Sequence, residues 1–248
     1  MTDRSGTSAP EPVDDAYPAR QVYRRQLVAT SYESHRFRSP FGRLVDWRER
    51  RLIARALASA GSCRRVLDLP AGTGRLGPLL RSRAELVVGA DRSWRMLRQE
   101  GRYATRAVVT DAVQLPFADD TFDLVVSLRF MGHLPPPVRA AALAEMARVA
   151  RQRLVVAFYD ATPVTRLRRY WHRRRTGWDR GAWYAEPIAR TRRTLAEQGF
   201  TVLGAYPIAP LISETWVLVL ERPSPAASGV AAAPPKTTDA TTGSPVDG

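Results

Sequence analysis

Polar positions dominate the start of the chain until Leu52, Ile53, Ala56 and Leu57 fall on one face of a helix predicted over Asp46–Ala60, with arginines opposite. From there on, short apolar runs alternate with helix-period patterns. Val66–Leu69 reads as a first strand, and the loop Pro70-Ala71-Gly72-Thr73-Gly74 leads from it into a helix through Leu79 and Leu80. A second strand, Leu86–Ala90, runs into Asp91, and Ser93 stands where it can cap a helix over Trp94–Glu100. The third strand, Ala107–Thr110, ends at Asp111, and Asp119-Asp120 form the turn before the fourth, Phe122–Leu128. Pro136 and Pro137 open a helix to about Ala150, followed by a fifth strand over Leu154–Tyr159. A helix over Pro187–Gln198 stops at Gly199, and Phe200–Tyr206 with Thr215–Leu220 predict a closing antiparallel hairpin. Strand and helix in alternation predict an α/β fold: a mostly parallel sheet with helices on both faces.

Residues 1–16 and 223–248 are rich in Pro, Ser, Thr, Gly and Ala, a composition that cannot offset the entropy of ordering, so both read as disordered tails. That leaves one domain over 17–222: an N-terminal helical lid over 17–63, of which Tyr32–Asp46 would fold over the crevice, and a core over 64–222. With 44% hydrophobic and 25% charged residues the chain has the composition of a globular protein. The lone Cys63 excludes an internal disulfide framework. His35, His133 and His172 never fall at metal-ligand spacing, so no metal site is predicted. No stretch resembles a signal peptide or approaches the roughly 18 apolar residues of a membrane span, and a cytoplasmic location is the expectation.

The net charge of +14 resides outside the tails and is almost all arginine, Lys236 being the only lysine. Thr165–Tyr184 concentrates it: Arg166, Arg168, Arg169, Arg173, Arg174, Arg175 and Arg180 alternate with Tyr170, Trp171, Trp178, Trp183 and Tyr184. Such interleaving suits an anionic lipid surface, nucleic acid or an acidic substrate. It equally describes a solvated helix with aromatics packed beneath it.

The informative chemistry follows the first three strands. Gly72 and Gly74 let the backbone turn sharply and let a ligand approach it. The crevice at the carboxyl ends of parallel strands is where open α/β sheets bind ligands. Asp91 stands at the end of the second strand, where a carboxylate can accept ribose hydroxyls. Asp111 ends the third, within reach of an adenine amino group. Gly72-x-Gly74-x-x-Gly77 also matches a dinucleotide fingerprint, which brings an NAD-dependent enzyme into view. Asp68 argues against it: a carboxylate just before the glycine loop repels a pyrophosphate but favours the ammonium of a methionyl group.

At these residues the chain resembles the class I methyltransferase superfamily, in particular its quinone-type and other small-molecule branch. The matching segments, in order, are Val66–Gly74, Val88–Asp91, Thr110-Asp111-Ala112, Leu115-Pro116-Phe117 through Phe122–Val125, and Glu145–Val149. The resemblance implies a Rossmann-like fold with a seven-stranded sheet, S-adenosyl-L-methionine as cofactor, and methyl transfer to a small-molecule or lipid-like acceptor. It further implies that Asp68, Gly72 and Gly74 line the methionyl end, Asp91 the ribose, and Asp111 with Ala112 the adenine, with Ala71 and Arg92 also binding the cofactor. Arg129 and Phe130 would flank the cofactor at the end of the fourth strand. The chain departs from the family at Pro70, where a glycine is usual, and proline has no N–H to offer there.

Methyl transfer from a sulfonium is an in-line displacement that needs positioning more than a nucleophile. A base helps only for a hydroxyl or acidic-carbon acceptor. His133, with its near-neutral pKa, is the candidate, and Tyr159 and Asp160 at the end of the fifth strand are expected to face the acceptor. Two alternative functions stay open: an RNA-directed methyltransferase using 165–184, and the NAD-dependent enzyme. No stable nucleic-acid partner is expected, since the fourth strand ends in Ser127-Leu128-Arg129-Phe130 and not in an asparagine- or aspartate-proline-proline-aromatic signature. The partner expected is an anionic small molecule or lipid, with a peripheral membrane contact through 165–184.

Overall fold

A computed structural model describes residues 40–59, 63–100, 106–176, 184–208 and 214–223. The predicted tails, apart from Pro223, and the lid residues 17–39 lie outside the described residues. Seven strands form one sheet: β1 (Arg65–Asp68), β2 (Leu86–Asp91), β3 (Arg106–Val109), β4 (Phe122–Ser127), β5 (Ala150–Tyr159), β6 (Thr201–Pro207) and β7 (Thr215–Glu221), in the order β3-β2-β1-β4-β5-β7-β6. All pairings through β5 are parallel, whereas β7 inserts antiparallel between β5 and β6. The C-terminal pair is therefore antiparallel, as expected, with its later strand on the inside.

The central strands are nearly continuous apolar runs because both faces are covered. Side chains alternate with period two. On one face Leu67, Val88, Val125, Leu154, Val156, Leu218 and Leu220 pack under α4 (Pro136–Val149) and α6 (Ile188–Glu197), with Leu143, Met146 and Leu195 at the contact. On the other, Val66, Val87, Leu124, Val126, Val155, Val217 and Val219 meet α1 (Pro40–Ser59) and α2 (Gly77–Arg81) through Ile53, Leu57 and Leu80. The remaining helices are α3 (Trp94–Glu100) and α5 (Pro163–Thr176).

Two boundaries differ from the sequence pattern. Helix α1 begins at Pro40, six residues before the expected start. Proline is tolerated in a first turn, where its missing N–H has no intrahelical partner to lose. Strand β5 begins at Ala150, directly after α4, although Arg151, Gln152 and Arg153 look unlike a buried strand. Arg151 and Gln152 are exposed at its amino end, where Arg151 reaches Asp123 at 3.3 Å. Asp123 also accepts the Arg64 and Arg65 N–H groups at 2.8 and 2.9 Å, tying down the start of β1.

The Glu145–Val149 segment holds the loop before β4. Arg148 donates to the Leu115 and Phe117 carbonyls and to Asp119, while Glu145 accepts the Leu115 N–H at 2.8 Å. Hydrogen bonding to Glu145 and Asp119 pushes the Arg148 guanidinium further up.

Candidate functional site

The chain reverses its direction of growth at β1, whose neighbours are β2 and β4, and such a switch point opens a crevice at the strands' carboxyl ends. Asp68, Asp91, Asp111 and the glycine loop all arrive there. Asp68 is buried at the last position of β1, in register with Gly89 and Val126. The Ala71 N–H donates to the Ala90 carbonyl at 2.9 Å, prolonging the β1–β2 ladder past the strand. Gly72 and Gly74 then adopt φ of 60° and 74°, the left-handed region that glycine enters without strain.

Asp91 organises this turn. One carboxylate oxygen accepts the Gly72 N–H at 2.9 Å and the other accepts the Ser93 N–H at 2.8 Å. The Ser93 hydroxyl accepts the Met96 N–H at 3.4 Å, capping α3 as expected. Burial raises the Asp91 carboxyl above its ordinary value, and backbone N–H groups of Ser93, Gly72 and Arg92 only partly offset this. A carboxylate offers about four acceptor sites, so three N–H bonds leave capacity for a ligand hydroxyl. Beyond β3, Asp111 accepts the Val113 N–H at 3.3 Å and lies 3.5 Å from an Arg92 nitrogen, beside the buried Ala112.

The other group lies at the ends of β4 and β5. His133 closes a 3₁₀ turn, Met131–His133, and is buried against Tyr159, with ring centroids 5.8 Å apart at 63°. Gly132 makes this packing feasible: a Cβ there would lie 2.1 Å from a Tyr159 ring carbon. Asp160 is buried, and its carboxylate accepts the Ile188 N–H at 3.1 Å at the start of α6. That bond ties the start of α6 to the end of β5.

Arg129 was expected beside the cofactor, and it does end the β4 side of the crevice, with φ of 58°. Its guanidinium donates to Glu49 at 2.9 Å, and Arg75, next after Gly74, donates to the same oxygen at 2.7 Å. Arg75 also pairs with Asp46, which Arg50 holds from the same helix at 2.8 Å. Burial alone would raise the fully buried Glu49 carboxyl, but Arg129 and Arg75 outweigh it and hold the group below its ordinary value. This acid–arginine cluster pins α1 over the glycine loop and the end of β4. The sequence reading missed it, taking α1 as an apolar face backed by arginines. The signal was present: Glu49 occupies the position between Val45 and Ile53 on the stripe Val45, Glu49, Ile53, Leu57, where a charge needs a partner.

Residues 66–153 match the profile of a methyltransferase domain family. The Synechocystis magnesium protoporphyrin IX methyltransferase, solved with bound SAH, superposes with a TM-score of 0.61 at 18% identity, over 82% of this chain and 99% of that one. Over residues 66–153 the chain is therefore similar to a methyltransferase domain, and its fold is like that of the solved methyltransferase. The demethylmenaquinone methyltransferase of Thermobifida fusca is 36% identical to the chain over 137 residues, 52% of this chain and 56% of that protein. The phosphatidylethanolamine N-methyltransferase of Cereibacter sphaeroides is 34% identical over 120 residues, 45% and 56%. The chain thus spans about half the length of the curated relatives it matches. Among the described residues, no helix is long and apolar enough to cross a membrane.

Proposed function

We propose that the chain transfers a methyl group from S-adenosyl-L-methionine to an O, N or C atom of a small-molecule or lipid-like acceptor. The observation that carries this reading is the convergence of a buried Asp68, two left-handed glycines and Asp91 in one crevice. A buried acid before the loop suits a methionyl ammonium, and Asp91 keeps acceptor capacity for a ribose hydroxyl. In this reading Asp68, Ala71, Gly72 and Gly74 hold the methionyl end, Asp91 and Arg92 the ribose, Asp111 and Ala112 the adenine, and Arg129 flanks them. When bound, the cofactor supplies an electrophilic methyl group whose C–S bond breaks as the acceptor bond forms, the electron pair passing to sulfur. The protein's part is to align the acceptor with that bond and exclude water. His133 or Tyr159, packed together at the crevice edge, takes the acceptor proton where there is one to lose.

Two relatives are named for a quinone and for a phospholipid, which supports a lipid-like acceptor here. An anionic acceptor, or one reached at a membrane through residues 165–184, belongs to the same proposal. The test is thermal denaturation with candidate ligands. S-adenosyl-L-methionine and S-adenosylhomocysteine raise the melting temperature and NAD does not, because only ligands of the folded state stabilise it. A shift with NAD alone overturns the reading.

A further inference from the structure

We propose that helix α5 is a docking surface for an anionic lipid bilayer. Thr165 marks the side of the helix that faces the protein: it is buried, and its hydroxyl donates to the Asp160 carbonyl at 3.1 Å. At 100° per residue, Val164, Leu167, Tyr170 and Trp171 share an arc of roughly 120° on the opposite side. They are 61%, 58%, 50% and 54% exposed, an unusual concentration of large apolar side chains on one turn-spaced stripe. Arg174 lies within that arc with its guanidinium 5.3 Å from the Tyr170 ring, and Arg166 and Arg175 flank it, all exposed. The segment 163–176 contains six arginines and no acidic residue.

These features favour lipid over nucleic acid. Val164 and Leu167 cannot stack on bases, whereas aliphatic side chains beside Tyr and Trp suit the boundary between headgroups and acyl chains. Arginines around the stripe complement anionic headgroups, and their long stems let the charge stay in the headgroup layer. Only three residues separate the end of β5 at Tyr159 from the start of α5 at Pro163, so docking brings the crevice edge to the bilayer. The proposal deepens the lipid-like acceptor reading and rests on it for its purpose, although vesicle binding itself requires no methyl transfer.

The test is sedimentation of the full chain with vesicles of phosphatidylcholine alone and of an equal mixture with phosphatidylglycerol. Binding is expected to the mixed vesicles, weakened by salt. Leu167→Ser with Trp171→Ser lowers it by about tenfold per side chain. Arg166→Gln, Arg174→Gln and Arg175→Gln together lower it on the order of a hundredfold. Both variants keep the wild-type melting temperature and its shift with S-adenosyl-L-methionine. Equal binding to neutral and mixed vesicles, no binding to either, or indifference to the apolar pair overturns the proposal. So does tighter binding of single-stranded RNA that needs the arginines but not Leu167 and Trp171. A variant that loses melting temperature shows α5 to be packing the domain, which also overturns it. Absence of the cofactor shift in the wild-type chain fails the methyl-transfer reading instead, and is read separately from sedimentation.

Discussion

Asp91 shapes the glycine loop and, in the proposed function, meets the ligand. Its ligand role requires the carboxylate, whereas burial favours the neutral acid and raises its pKa above 3.8. The sign follows from linkage: the folded protein binds this proton more readily than the unfolded chain. Stability from Asp91 protonation is complete below the unfolded value and is lost as pH rises through the folded one. Cofactor affinity runs the other way, falling as pH drops through that raised value. Calorimetric titration with S-adenosyl-L-methionine as pH is lowered is expected to show this fall in the wild type and a flat profile in Asp91→Asn. Asp91→Ala weakens binding by roughly 1–3 kcal/mol, the effect of losing a charged acceptor. It also lowers unliganded stability, since the Gly72 and Ser93 N–H groups lose their acceptor.

Among the elements, α1 depends most on a single side chain. Glu49 has no exposed surface and neutralises Arg75 and Arg129, so removing it leaves two guanidinium groups short of a partner. Breaking a buried pair from one side typically costs about 3–5 kcal/mol. Glu49→Ala is therefore expected to lower denaturant stability at neutral pH by an amount of that order, and Glu49→Gln by somewhat less. Because the Glu49 pKa is lowered from 4.5, its contribution is present above that value and disappears as pH falls through the folded-state value. The gap between wild type and Glu49→Gln should close as pH falls through that lowered value. A Glu49→Ala protein as stable as wild type would show that α1 is held by its apolar stripe alone.

Across the whole molecule, burial is graded from the middle of the sheet outward. β4 and β5 contribute to both hydrophobic layers, whereas the outermost strands β3 and β6 are mostly exposed or half-buried. Such a gradient separates global from local opening. Native-state hydrogen exchange is expected to be slowest at Val125, Val126, Val155 and Val156, limited by global unfolding. Val108 and Leu203 should exchange faster through local fraying. Saturating cofactor slows the first group by the factor that it adds to folding stability and leaves edge fraying less affected. Uniform protection across the sheet would contradict this picture.

The order of strands and helices was legible in the sequence because apolar period is a local property, and a parallel strand buried on both faces writes itself as Val66–Leu69 or Leu124–Val126. The glycine loop and its acids were legible for the same reason: Asp68, Gly72, Gly74 and Asp91 sit at the ends of elements that the pattern delimits. Tertiary structure alone decided the rest. That β7 lies between β5 and β6 depends on which edges meet, and no residue carries that information by itself. That Arg129 pairs with Glu49, 80 residues away, arises because β4 ends beneath α1, so a side chain expected to flank a ligand first satisfies a buried acid. The Ile188 N–H likewise reaches Asp160, 28 residues earlier, because α6 begins against the end of β5. Local sequence determines which way side chains alternate; the free energy of long-range burial, which must match every buried charge with a partner, determines what they meet.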